Sequence, residues 1–296
     1  MRCLLPVKKS RNLFVLLIVL GLSFPAVAAS PAFRLKLGLG AGAFDFGDVS
    51  LAVRGGQQYA LNWAAAGEAV PGDGIQEPGP MNNAGVELMA VLSPRLALGL
   101  EVALNGATRD GQVGWIGSVN GSVRHLAEMR YTVVPVRLNI HYFLGRPGGL
   151  RAYGLAGIGL YAGRLNLRQE TLSRSTGADR LEYFSGRGQG TALGLHAGAG
   201  LQVPVTRRFA VFVEVLGRAA RVGSLTGDVG LADTGTGDTD LIEGTFWLSK
   251  TGDEAGEYHR VLVSSAQPAD PEFRDVRKFR LDLSGWAVRA GIVINL

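Results

Sequence analysis

Apolar residues alternate with small or polar ones at a period of two in eight separate stretches of the chain. That spacing puts every second side chain on one face of a β-strand. The first stretch runs Phe33, Leu35, Leu37, Leu39, Ala41, Ala43, interleaved with Arg34, Lys36, Gly38, Gly40 and Gly42. The next two, Val86–Leu92 and Leu96–Leu104, oppose their apolar phase to Glu87, Met89, Ala97, Gly99 and Glu101. Thr132–Tyr142 alternates with Arg137, Asn139 and His141, and the glycine-rich run from Arg151 to Arg164 fits either phase. Thr191–Val203 sets leucine and alanine against His196 and glycines; Val211–Val215 is set against Phe212, Glu214 and Leu216; Trp286–Leu296 is set against Arg289, Gly291 and Asn295. Upstream of Gly285 the apolar phase moves to Leu281 and Leu283, which reads as a β-bulge.

The connections fall into two kinds. Three are tight turns, at Ser93-Pro94-Arg95, Gly145–Gly149 and Thr206-Arg207-Arg208. Four are long, spanning about 45–83, 106–128, 166–188 and 221–278. Strands joined alternately by short and long connections predict an all-β fold, an antiparallel up-and-down transmembrane β-barrel of eight strands. Within the longest connection, Thr245–Lys250 and Tyr258–Val263 read as a hairpin around Gly252-Asp253-Glu254. Arg260 and Glu257 suit water, so this hairpin is expected outside the membrane; inserting it would give ten strands.

Face chemistry separates a membrane barrel from a soluble one. The polar phase carries mostly glycine, alanine and a few charges, too little to coat an exterior in water but the right size for a narrow lumen. The other phase is almost unbroken Leu, Val, Ile and Ala, which suits lipid. Phe33, Tyr142, Tyr153 and Phe209 near the short turns, and Tyr131, Tyr161 and Trp286 toward the long connections, are expected as interfacial girdles.

The N-terminus changes the charge picture. Arg2, Lys8, Lys9 and Arg11 precede an apolar run from Leu13 to Leu22, and Ala26-Val27-Ala28 follows. This is the three-part pattern of a cleaved secretory signal over 1–28, leaving 29–296 as the barrel domain. Cleavage would remove four of the 30 basic residues and no acid, leaving 26 against 25. The basic character of the whole chain is therefore no argument for nucleic acid, and none is expected as a partner. Cys3 leaves with the same segment, so neither a disulfide nor lipidation is expected. No later stretch approaches the ~20 apolar residues of a membrane helix.

Tyr131-Thr132-Val133-Val134-Pro135-Val136-Arg137-Leu138-Asn139, followed by Tyr142-Phe143, resembles a strand of the bacterial outer-membrane protein β-barrel family. Tyr153-Gly154-Leu155-Ala156-Gly157-Ile158-Gly159-Leu160 resembles that family's next, glycine-rich strand. The last strand is similar to the assembly signal of such barrels, with Leu296 where Phe is usual. The resemblance, to OmpA-like and OmpW-like eight-stranded barrels, implies a multi-pass protein of the Gram-negative outer membrane with both termini periplasmic. Its implied partners are outer-membrane lipid, lipopolysaccharide and the barrel assembly machinery, the last through the C-terminal strand.

Candidate chemistry lies on the inward phases. Lys36, Glu87, Glu101, Arg137, His196, Glu214 and Arg289 all fall about five to seven residues from the short-turn ends of their strands. They balance, three Glu against two Arg and one Lys. Buried charges persist when paired, so these residues are expected as a layer that plugs the lumen; a gated ion or proton path along them is the alternative. No catalytic triad is assembled by His125, His141, His196 and His259, although Glu214 and His196 could neighbour each other as an acid–base pair. The runs at Gly38–Gly42, Gly157–Gly159 and Gly198–Gly200 match no phosphate-binding motif and no cofactor is expected. Asp228, Asp233, Asp238 and Asp240 lack the spacing of a calcium loop and read as solvated, with no metal expected. Loop aromatics Trp63, Trp115 and Trp247 are candidate contact points. The resulting expectation is a non-enzymatic structural or surface-binding barrel. OmpW-like passage of small, hydrophobic solutes is second; it calls for an apolar upper lumen, where the sequence reads as polar or glycine. A lipid-modifying enzyme is third.

Overall fold

The computed structural model describes residues 32–45, 47–65, 68–70, 81–118, 121–144, 149–175, 179–253 and 256–296. The expected signal segment and the turn residues 145–148 lie outside them. Eight strands close the barrel: β1 (Ala32–Phe44), β3 (Met81–Val91), β4 (Leu96–Ser118), β5 (Gly121–Leu144), β6 (Arg151–Ser175), β7 (Asp179–Pro204), β8 (Phe209–Val222) and β14 (Gly285–Asn295). Each pairs antiparallel with its chain neighbours, and β1 pairs β14 from Arg34↔Asn295 to Phe44↔Gly285, so the barrel has no free edge. The ten-strand alternative is not what forms. Two of the tight turns share one device: the hydroxyls of Ser93 and Thr206 accept hydrogen bonds from the backbone two and three residues on, at 3.0–3.3 Å.

The alternation sorts as the pattern requires. Leu193, Leu39 and Leu195 point outward at 80, 71 and 63% exposure, with Leu138, Ile140, Ile158 and Val215 on the same wall. A continuous exposed apolar band of this kind is a wall made for lipid. Lys36, Glu87, Glu101, Arg137, Glu214 and Arg289 point inward and are buried.

Two of the four expected loops are not loops. Segments 106–128 and 166–188 continue the ladders of β4–β5 and β6–β7 with only residues 119–120 and 176–178 between strands. These four strands rise well beyond β1, β3, β8 and β14, making a high wall on one side. The remaining long connections complete it. Where β8 ends, β7 changes partner from Ala220 at Gly194 to Thr226 at Gln189, and β9 (Thr226–Asp233) continues the sheet. β10 (Thr239–Asp253) pairs β9, and β11 (Gly256–Ser264) and β12 (Arg274–Lys278) both pair β10. The hairpin read at Thr245–Val263 is thus part of this outer sheet, outside the barrel wall. β2 (Glu68–Val70) pairs the far end of β4. Helix α1 (Asp48–Ala65) lies between the two ends of the wall, touching β11, β2 and β4. Asp48 pins its start: its carboxylate accepts from Arg277 at 2.5 and 2.6 Å and from the Arg280 amide at 2.8 Å. At Gly55 the helix approaches the His259 carbonyl closely enough that a Cβ would collide with it.

The expected bulge before Gly285 is absent. β13 (Leu281–Asp282) pairs Val222 and Arg221 of β8 in the register that β14 keeps from Gly285↔Arg218 onward. Leu281 and Leu283 therefore face inward, on the phase of Arg289. What changes at Gly285 is the chemistry of the interior, which turns from charged to apolar.

Candidate functional site

The charge layer is built from rungs of the sheet. Lys36 of β1 lies opposite Glu87 of β3, Glu87 opposite Glu101 of β4, and Glu101 opposite Arg137 of β5. On the other side of the lumen Glu214 of β8 lies opposite Arg289 of β14. The equal offsets read from the sequence correspond to one rung across four strands.

Two carboxylates directly opposite each other repel, and the layer is organised to prevent it. Asn139 donates its amide to both, at 2.6 Å to Glu87 and 3.2 Å to Glu101. Glu87 also takes Lys36 at 3.2 Å and His141 Nε2 at 2.6 Å. Glu101 takes Arg137 at 2.6 Å, and Arg289 closely. From Arg289 the chain of contacts passes to Glu214 through Nε at 2.6 Å, and Glu214 receives Lys36 at 2.5 Å and the Tyr153 hydroxyl at 2.7 Å. His196 reaches the layer through Asn139 Oδ1 at 2.5 Å, not through Glu214. All seven residues singled out in the sequence meet in this one buried network. Asn139, His141 and Tyr153 were missed as members. Asn139 and His141 sit on the same inward phase as Arg137, so the signal was there; Tyr153 lay on the strand whose phase the glycines blurred.

Glycines cut the space for these side chains. A Cβ on Gly99 would collide with the Glu87 carboxylate, one on Gly157 would meet His196 Nε2 at 2.7 Å, and one on Gly85 would meet Glu101 Oε1 at 2.8 Å. Gly99→Ala should therefore lower stability by about 1–3 kcal/mol, the usual cost of overpacking. Urea unfolding in detergent micelles, followed by tryptophan fluorescence, reads this; an unchanged midpoint contradicts the cut-out.

Above the layer, toward the long connections, the interior turns largely apolar beyond a buried Asn83–Asn105 hydrogen-bonded pair. Phe44, Met81, Tyr131, Val133, Tyr161, Phe246, Phe279, Leu281 and Leu283 are buried in one cluster. Arg218, missed because β8 runs further than its alternation was followed, stacks over Phe44 at 3.8 Å and donates to the Leu283 carbonyl at 3.1 Å. The reading of a largely polar or glycine lumen is thereby corrected: it holds for the middle only. Below the layer, Ala97, Phe143 and Leu155 belong to a second apolar cluster, and Lys36 Nζ lies 4.6 Å from the Phe212 ring. The aromatic girdle is corrected too. Phe33, Tyr142, Phe209 and Trp286 are exposed on the outer wall, but Tyr131, Tyr153 and Tyr161 are buried in the lumen.

A second concavity lies inside the high wall, beyond the apolar cluster. It measures about 800 Å³ and is lined by Met129, Phe184, Leu231, Val261 and Val263, with Asp238 among its polar residues. Trp247 is buried within the outer sheet and gives its indole N–H to the Ser264 carbonyl at 3.4 Å, so it packs the sheet rather than presenting a contact; the side chains of Trp63 and Trp115 lie outside the described residues. Among the described residues no cluster of three or more His, Cys, Asp or Glu could hold a metal. Asp233 instead accepts the Gly235 amide at 2.8 Å in the β9–β10 turn.

The model of the outer membrane protein beta-barrel domain family matches residues 14–242. The chain belongs to this family. Outer-membrane localisation follows from membership, in agreement with the apolar wall. No curated protein matches the chain. Among solved structures, CarO of Acinetobacter baumannii is similar over 92% of this chain and 100% of its own, at 15% identity and a TM-score of 0.33. The outer membrane protease OmpT of Escherichia coli is similar over 93% of this chain and 99% of its own, at 9% identity and a TM-score of 0.27. At such scores neither lends this barrel an activity.

Proposed function

We propose that this outer-membrane barrel is a non-enzymatic surface-binding protein with a closed lumen. Its short turns and termini face the periplasm, and its high wall faces the outside. The observation that carries the closed lumen is the double seal: a charge-balanced, hydrogen-bonded layer with a buried apolar cluster above it. An eight-stranded barrel is just wide enough to be filled by side chains. His141 and His196 each commit Nε2 to a buried member of the layer, which supports a non-catalytic role. Binding is then left to the concavity inside the wall, which has the size and apolar lining of a small-molecule site.

Planar-bilayer recording of refolded protein tests the seal. No steady conductance is expected at neutral pH; a stable, large, voltage-independent pore would overturn the reading. One observation favours OmpW-like passage of small hydrophobic solutes as a second reading, namely the apolar upper interior. Liposome swelling separates the two, since passage admits apolar solutes without ion conductance and a closed lumen admits neither.

A further inference from the structure

The outer surface of the wall changes character within one two-residue step. Val134, Ala162 and Thr191 share a rung across β5, β6 and β7, and the next outward rung is Thr132, Arg164 and Gln189. One rung further on come Arg130, Asn166 and Arg187, with Asp228 of β9 beyond, and then Glu128, Arg168 and Ser185. Four arginines thus surround Asn166, two along its strand and two on its neighbours. At ~4.8 Å between strands and ~3.3 Å per residue, all lie within roughly 7 Å of it. Their groove measures about 560 Å³.

The carboxylates nearby do not neutralise the patch. Arg168 holds Glu170 at 2.5 Å, and Arg130 meets Glu128 at 3.4 Å. Arg164 and Arg187 are exposed and make no ion pair among the described residues; Asp228 faces Arg187 across the rung without pairing it. Two forked donors are left open immediately beyond the lipid-facing band. Arginine there meets whatever anion the adjacent leaflet presents, and its planar fork favours phosphate.

We propose that this arginine cross binds the phosphates of a lipid anchored in the leaflet beside it, which in an outer membrane is lipopolysaccharide. The site is on the outside of the barrel, so it is independent of whether the lumen conducts or the concavity binds a ligand. It rests only on the wall facing outward from the cell.

Refolded full-length barrel in detergent micelles should bind phosphorylated lipopolysaccharide more tightly than the same material enzymatically dephosphorylated. The double variant Arg164→Ala/Arg187→Ala should lose about thirtyfold for the phosphorylated form, two charges at the membrane surface. Its affinity for the dephosphorylated form should not change. The double variant Arg164→Lys/Arg187→Lys should recover part of the loss, since charge is kept and the fork is not. Heat-modifiable mobility on gels confirms that each variant has folded; a wild-type protein indifferent to the phosphates overturns the site even if a variant misfolds. So does a double-alanine variant that keeps the preference. Inorganic phosphate that competes as well as the lipid would mean a free-anion site, and would overturn the lipid assignment.

Discussion

Replacing Arg289 by alanine is expected to lower the unfolding free energy of the barrel by about 3–5 kcal/mol, the cost of stranding buried charge. Arg289 is 3% exposed and is the bridge between Glu101 and Glu214. Without it, two carboxylates inside the barrel lose a cation at once. Lys36 still reaches Glu214 and Arg137 still reaches Glu101, so the layer is wounded rather than abolished. Arg289→Lys keeps the charge but can hardly span both carboxylates, and should fall between. Urea titration in micelles measures all three proteins. A loss below about 1 kcal/mol, the size of an exposed pair, would mean that water reaches the layer and that the proposed seal is open.

Phe246→Ala is expected to have an equally large effect, centred on the outer sheet where it meets the apolar seal. Phe246 is fully buried at the centre of the outer sheet, its amide donating to the Leu225 carbonyl and its carbonyl accepting from Phe279, both at 2.9 Å. Its ring packs 3.3 Å from where a Cβ on Gly188 would stand, filling the gap that glycine leaves in β7. Truncating a buried phenylalanine costs about 3–5 kcal/mol. Because β9 to β12 hang from Glu182–Gln189, the part of β7 beyond its pairing with β8, that loss should free the outer sheet without opening the closed barrel below. Limited proteolysis should then cut within 221–278 while heat-modifiable mobility stays that of the folded barrel. If the barrel unfolds as well, the outer sheet and the barrel are one cooperative unit and not two.

The period-two alternation was enough to place the eight strands, the faces of all but β6, and the side of the long connections. Alternation depends only on the backbone, in which successive side chains point to opposite faces, and the two faces meet lipid and lumen. The same logic reached the charge layer: hairpins with short turns put residues equally distant from the turn opposite each other, so Glu87, Glu101 and Arg137 had to share a rung. Phase holds further information of the same kind. Tyr131 has the parity of Arg137, and that parity alone places it in the lumen and not in a girdle. Tyr153 and Tyr161 were not legible, because glycine on both faces of β6 leaves no hydrophobic contrast to read.

What the tertiary structure alone decided lies where residues distant in sequence meet. Segments 106–128 and 166–188 show no clean period-two apolar contrast; the ladders they form with their neighbours, set by register across the barrel, make them strands. The apolar upper seal draws Phe44, Phe246, Phe279 and Leu281 from four elements, and no local pattern joins them. The arginine cross depends on the register among β5, β6 and β7, which places Arg130 and Arg187 either side of Asn166. Local periodicity fixes which way a side chain points; only register and closure fix what it points at.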